Sequence, residues 1–137
     1  MTSAARTLRP GDRTRTTTQT PGLERKTAID GATVGARILW FGFVRMAPGM
    51  ASGVHHHGDS ETGIYLIRGR ARFRFGDRLE ETFVAEAGDF IYVPSHAVHQ
   101  ETDLSPEEPT ELVVVRDRRR TSSWRSTRRL DEPCASF

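Results

Sequence analysis

Between about residue 25 and residue 117, apolar residues recur with period two or in short runs, and glycine or proline interrupts them roughly every eight to twelve residues. This spacing is typical of antiparallel sandwiches and barrels. No part of the segment predicts a helix longer than one turn. The pattern therefore predicts an all-β fold, a double-sheet jelly-roll barrel of about 90 residues.

Individual strands follow from the same pattern, with turns at Pro48-Gly49, Gly76-Asp77 and Gly88-Asp89. The arginines that alternate with Ala71, Phe73 and Phe75 predict a strand with one face in water. Gly42 lies inside an apolar run and predicts a β-bulge. The predicted strands are Val34–Met46, Ile64–Arg68, Arg70–Phe75, Leu79–Val84, Phe90–Val93 and Leu112–Val115.

The 137 residues suffice for one domain with one hydrophobic core. Residues 1–23 are polar and threonine-rich, which predicts a disordered arm. Residues 24–117 form the predicted domain. Residues 118–137 are rich in arginine and small polar residues, which predicts a flexible tail.

The formal net charge is only +2, and every basic Lys or Arg residue except Lys26 is an arginine. The tails carry no aromatic residue interleaved with their arginines beyond Trp124, so we expect no nucleic-acid partner. The single cysteine, Cys134, excludes an intramolecular disulfide. Without an apolar run near the N-terminus or a long apolar stretch, we expect no signal peptide and no membrane span, and a cytoplasmic protein.

All five histidines lie between His55 and His99. Residues i and i+2 of a strand point to the same side, so His55 and His57 can face the barrel interior while His56 faces outward. The loop after Pro94 returns the chain to the sheet, where His99 can supply a third imidazole. Three neutral imidazoles would hold a divalent ion such as Fe, Mn, Zn or Ni and leave coordination positions open.

These residues resemble the two signature motifs of the cupin family. The first motif is matched by Gly49, His55, His57, Glu61 and Gly69. The second is matched by Gly88, Pro94 and His99, with His96 in place of a glycine and Asp103 in place of an asparagine. The resemblance covers roughly residues 25–117 and implies a small single-domain cupin with a metal centre.

The fourth metal ligand departs from the family pattern. The family pattern leaves six residues between the glutamate and Gly69, which would place the glutamate at position 62. That residue is Thr62 here, and the carboxylate is at Glu61. Strand parity then turns Glu61 away from the interior unless a twist or bulge resets the register. The predicted site is either three histidines with Glu61 or three histidines alone. In the family motif a loop glycine occupies the position of His96, so we expect His96 to lie outside the ligand set.

No nucleophile or acid–base pair stands out elsewhere, so any chemistry falls to the metal. The leading hypothesis is a metal-dependent enzyme acting on a small organic substrate, either an oxygenase or a Lewis-acid isomerase or cyclase, for instance in a biosynthetic tailoring step. The alternative is a non-catalytic cupin that binds a small ligand or acts as a sensor or accessory protein. Arg37 or Arg45, with Trp40, is a candidate anchor for an anionic substrate. A homodimer is expected, with the segment Lys26–Ile38 as its candidate interface.

Overall fold

The structure, a computed structural model, describes residues 4–16 and 21–118. Within this part of the chain it forms nine strands, a short helix and one 3-10 turn at Pro10–Asp12. The helix is α1 (Gly31–Val34). The strands are β1 (Thr14–Thr16), β2 (Leu23–Ile29), β3 (Leu39–Met46), β4 (Thr62–Arg68), β5 (Arg70–Phe75), β6 (Glu81–Glu86), β7 (Phe90–Val93), β8 (His99–Asp103) and β9 (Thr110–Asp117).

The strands form two antiparallel sheets. The larger sheet has the order β1-β2-β3-β9-β4-β7, and the smaller has the order β6-β5-β8. Strands that are distant in sequence, such as β3 and β9, become neighbours in this arrangement. The predicted all-β jelly roll is confirmed.

Period-two alternation places one face of each sheet in the core. Along β9 every second residue is buried, beginning at Thr110, and along β3 the buried positions begin at Trp40. The core is made by the inward residues of both sheets. Its members are Leu23, Trp40, Val44, Met46, Ile64, Leu66, Ala71, Phe73, Ala85, Ile91, Val93, Leu112 and Val114.

The predicted strands Arg70–Phe75 and Phe90–Val93 have the bounds that the structure gives. The predicted strand Val34–Met46 is wrong in its first part, because Asp30 caps α1 with its side chain and Gly35 ends the helix in a left-handed conformation. The strand itself begins at Leu39. The sequence pattern also missed β2 and β8, whose polar inward residues hide the alternation.

The predicted bulge at Gly42 is wrong, since the β3–β9 register runs through Gly42↔Val114 without a shift. The irregularity lies in β2, between Thr27 and Ile29. Gly42 serves another purpose. A Cβ atom here would clash with Cη2 of Trp40, so the glycine makes room for the buried indole.

Part of the segment 1–23, predicted as a disordered arm, forms a strand, because β1 pairs with β2 from Thr14↔Thr27 to Thr16↔Arg25. Residues 1–3, 17–20 and the predicted tail from residue 119 lie outside the described residues. No helix within the described ranges is long and apolar enough to cross a membrane.

Candidate metal centre

The site is built where the chain between β3 and β4 lies against β8. Backbone bridges join Ala51 to Thr102 and His55 to His99. In the second bridge each histidine N–H donates to the carbonyl of the other, at 3.0 and 2.9 Å. Two sequence-distant histidines are thus fixed side by side through their backbones.

His55, His57 and His99 converge in the interior. All three side chains are buried, and one possible ligand atom from each lies within 4.8 Å of the others. The ring centroid of His55 is 5.2 Å from that of His57 and 4.4 Å from that of His99. The structure therefore brings together the three histidines that the sequence singled out.

Each ring is oriented by a hydrogen bond at Nδ1. In His55 this atom lies 2.7 Å from the Gly53 carbonyl oxygen, and in His99 it lies 2.8 Å from that of Ala97. A carbonyl only accepts, so both Nδ1 atoms carry the proton and donate. Nδ1 of His57 lies 2.8 Å from Oγ1 of Thr62. Anchoring at Nδ1 leaves the Nε2 lone pairs for a metal ion.

A buried carboxylate lies beside two of these histidines. Oε2 of Glu101 lies 3.1 Å from Nε2 of His99 and 4.0 Å from Nε2 of His55, and the Glu101 side chain is fully buried. Its backbone N–H donates to Oγ of Ser52 at 3.0 Å. Two ligands of one first-row ion, each about 2.1 Å from it, lie roughly 3 to 3.5 Å apart, so Glu101 and His99 fit one coordination sphere.

A family comparison agrees with this geometry. The family model described as Cupin domain matches residues 42–116. The chain is a cupin. A search of curated proteins found no match.

Solved cupin structures share the fold at low sequence identity. KdgF from Halomonas sp. is 18% identical, with a TM-score of 0.68 over 88% of this chain and 99% of that one. The polyketide cyclase RemF from Streptomyces resistomycificus is 19% identical, with a TM-score of 0.69 over 85% and 82% of the two chains. A predicted oxalate decarboxylase from Thermotoga maritima is 17% identical, with a TM-score of 0.68 over 83% and 100%. At these identities the likeness shows the fold.

Glu61, the carboxylate of the sequence motif, does not join the three histidines of this cupin. Its side chain is exposed and lies near Tyr92 on the outside of the larger sheet. The neighbouring Thr62 takes the inward position and is buried. The reason is strand parity, because β4 begins at Thr62 and alternates inward from there without a bulge that would turn Glu61 in.

The other two histidines lie outside the group. His96 is exposed and its Nε2 lies 2.6 Å from Oδ1 of Asp59. Its φ of 60° is left-handed, which explains why glycine suits this position in the motif. His56 is partly exposed, and its Nδ1 accepts the N–H of Gly58 at 3.0 Å.

The pKa shifts keep two of the three imidazoles neutral, which is the form that binds a metal ion. Burial, followed by the charge of Arg116, lowers the pKa of His57, and burial also lowers the pKa of His55. For His99, burial lowers the pKa, but the hydrogen bond and charge of Glu101 outweigh it and raise the pKa. The three imidazoles are a donor set that could hold a divalent first-row ion.

Sequence reasoning missed Glu101 because its strand, β8, is polar and gave no apolar alternation. The signal was its spacing, since Glu101 follows His99 by two residues and therefore shares its inward face. Sequence reasoning also chose the wrong arginines for the interior. Arg37 and Arg45 are exposed, whereas Arg116 is buried on the inner face of β9.

Proposed function

We propose that this cupin is a metal-dependent enzyme acting on a small organic substrate. His55, His57 and His99 bind a divalent metal ion through Nε2, and Glu101 is the carboxylate of the site in place of Glu61. When bound, such an ion supplies Lewis-acid polarisation of a substrate oxygen, or, if it is iron, chemistry with dioxygen.

One observation carries the proposal. In a buried cluster, Nδ1 of His55 and Nδ1 of His99 each donate to a carbonyl oxygen, while the Nε2 atom of His99 faces a fully buried carboxylate 3.1 Å away. A lone pair and a carboxylate oxygen repel each other at this distance unless a positive charge lies between them. Either a proton or a metal ion can supply that charge, and the three converging imidazoles favour the metal.

Metal content tests the ligand set. Protein purified without a histidine tag should contain about one first-row metal ion per chain by inductively coupled plasma mass spectrometry. His57→Ala and His99→Ala should lose it. His56→Ala and His96→Ala are matched controls, since these histidines come from the same two segments but lie outside the group, and both should retain the metal. Equal metal content in all four variants would overturn the ligand set.

Turnover separates an enzyme from a binding protein. The metal-loaded protein is incubated with panels of small organic compounds, with and without oxygen, and the mixtures are compared by mass spectrometry with those of His57→Ala. Loss of a compound and gain of a product that both require His57 support an enzyme. A compound that binds the loaded protein at equilibrium without conversion would instead favour the non-catalytic ligand-binding alternative.

A homodimer remains part of the proposal. The predicted interface Lys26–Ile38 is not an edge of the larger sheet, because its strand β2 is already paired with β1 on one side and with β3 on the other. The outer side of the larger sheet offers a better surface, since Phe90 and Tyr92 are 82% and 62% exposed there. Large exposed apolar patches mark interaction sites. A cytoplasmic location and the lack of a nucleic-acid partner also remain predictions from the sequence.

A further inference from the structure

Arg116 lies on the inner face of β9, close to the residues that support the metal centre. The buried residues of this strand alternate as Thr110, Leu112, Val114 and Arg116. The register pairs Arg116 with Trp40 on one side and with Thr62 on the other. Thr62 is the residue that anchors His57. Arg116 therefore lies beside the metal-site scaffold inside the barrel.

The guanidinium of Arg116 is buried, and one of its N–H donors has no partner within the described ranges. The residue is 6% exposed, and Nε is buried with no hydrogen-bond partner among the described residues. No acidic side chain in the described part of the chain forms an ion pair with it. Burying a charge without a partner costs several kcal/mol, so proteins rarely keep one without a use.

The surroundings of Arg116 are themselves cationic. Its guanidinium carbon lies 4.6 Å from the ring centroid of Trp40, and those of Arg25 and Arg118 lie 5.8 and 6.0 Å from the same centroid. Burial, followed by the charges of Arg25 and Arg118, lowers the pKa of Arg116 to about 9. Three guanidinium groups around one indole produce a positive field that favours an anion.

The same field reaches the metal centre. After burial, the charge of Arg116 is the largest cause that lowers the pKa of His57. A molecule that bridges Arg116 and the three histidines would thus contact a fixed cation at one end and the metal site at the other. Arginine, with its planar fork of N–H donors, is suited to bind an oxyanion with two parallel hydrogen bonds.

We propose that Arg116 is the anion-binding residue of the site and that the substrate carries an oxyanion, a carboxylate or a phosphate, which Arg116 holds. This inference rests on the proposed function for its account of the substrate. The binding of the anion itself needs only the arginine.

If Arg116 had a purely structural role, the experiments would give a different result. The stacking of Arg116 on Trp40 is worth about 0.5 to 2 kcal/mol and would need no ligand. If packing were its whole role, Arg116 variants would change stability but no anion would bind the wild-type protein at this place. Anion binding to the wild type is therefore the readout that separates the two roles.

The test uses full-length protein from which metal and chelator have been removed. Malonate, inorganic phosphate and neutral malonamide are titrated while the arginine Nε–H resonances are followed by ¹⁵N–¹H NMR. The Arg116 resonance is identified as the one missing from Arg116→Lys. We expect malonate or phosphate to shift this resonance saturably and malonamide to leave it unchanged. The anion that binds more tightly identifies the group on the substrate.

Two variants complete the experiment. Arg116→Lys should weaken anion binding, measured by calorimetry, about 10- to 100-fold, as expected for the loss of charge-assisted hydrogen bonds. Arg45→Lys, an exposed arginine on the other side of the sheet, should bind as the wild type does. Far-UV circular dichroism checks that both variants are folded.

The proposal is overturned if neither anion shifts the Arg116 resonance of the wild-type protein, or if folded Arg116→Lys binds the anion equally well. Metal content, measured on the same preparations, separates this result from the proposed function. Protein that binds no metal but binds the anion through Arg116 would refute the metal-dependent function and support the anion site. Protein that binds metal but no anion would overturn the anion site alone.

Discussion

The carboxylate of Glu101 lies 3.1 Å from Nε2 of His99, with both side chains fully buried. The two residues are separated by one position in β8, so they share the inward face of one strand. In this cupin the carboxylate near the histidines therefore comes from the strand of the third histidine, and the motif glutamate lies outside.

This relationship predicts the effect of Glu101→Gln. The amide keeps the shape of the side chain but removes the negative charge, so metal affinity should fall about 10- to 100-fold. The metal-free variant should be less stable than the metal-free wild type at pH values below the raised pKa of His99, because Glu101 then pairs with protonated His99. Competition with a chromophoric chelator measures the affinity, and urea unfolding measures the stability.

Two comparisons decide whether Glu101 is the carboxylate of the site. Glu111→Gln changes a glutamate on the outer side of β9, where it faces Arg45, and should leave metal affinity unchanged. Glu61→Gln should also leave it unchanged. A loss of affinity in Glu61→Gln with none in Glu101→Gln would reverse our assignment.

Thr62 is predicted to orient His57. Thr62→Val removes the hydroxyl that lies 2.8 Å from Nδ1 of His57 but keeps the volume of the side chain. Metal affinity should fall about 10- to 100-fold, as for other groups that orient a ligand. Thr62→Ser restores the hydroxyl and should restore most of the affinity. If valine and serine bind metal equally well at this position, the hydrogen bond has no such role.

The sequence predicted the fold well, since most strands of the sheets show the alternation of buried and exposed residues and are bounded by the predicted turn residues. It predicted that His55 and His57 face the same side, because residues two apart do so in a strand. In the structure His55 and His57 lie in an irregular segment that is bridged to β8. The side that each faces therefore depends on long-range pairing.

Glu101 and Arg116 show what the sequence could not supply. A buried charge in a strand looks like an exposed one until the register is known, because only the partner strands fix which side is inward. Glu101 lies two residues after His99, and Arg116 lies two residues after Val114. If His99 and Val114 had been known to face inward, strand alternation would have placed both charged residues inside. The apolar run that precedes Arg116 on β9 gave no alternation from which to start the count.

Metal binding should stabilise the fold. The ligands come from the β3–β4 segment and from β8, so a bound ion links two parts of the chain that separate on unfolding. With free metal at about a hundred times its dissociation constant, the free energy of unfolding should rise by about 2.7 kcal/mol. Urea unfolding with and without added metal measures this change. His57→Ala should show no such rise, and a wild type that is equally stable in both conditions would contradict a specific site.

Gly42→Ala should destabilise the protein. The added Cβ would clash with Cη2 of Trp40 and lie 2.9 Å from the Lys26 carbonyl oxygen, so the buried indole or the neighbouring strand must shift. We expect a loss of about 1 to 3 kcal/mol in urea unfolding, as for other overpacked cores. Gly53→Ala is the matched control, because a Cβ there meets no atom within 4 Å. Equal stabilities of the two variants would show that the Trp40 region is loosely packed.

The outer side of the larger sheet should hold the dimer together. Phe90 and Tyr65 lie there with ring centroids 4.7 Å apart, and Phe90 is 82% exposed although it is fully apolar. Light scattering after size exclusion should give twice the chain mass of 15.4 kDa for the wild type. Phe90→Arg should give the single mass, because a charged side chain would have to be buried in the interface. Val84→Arg places the same charge at a 44% exposed apolar position on the smaller sheet and should remain dimeric. A wild type that is monomeric at working concentration, or a Phe90→Arg variant that is still dimeric, would place the interface elsewhere or remove it.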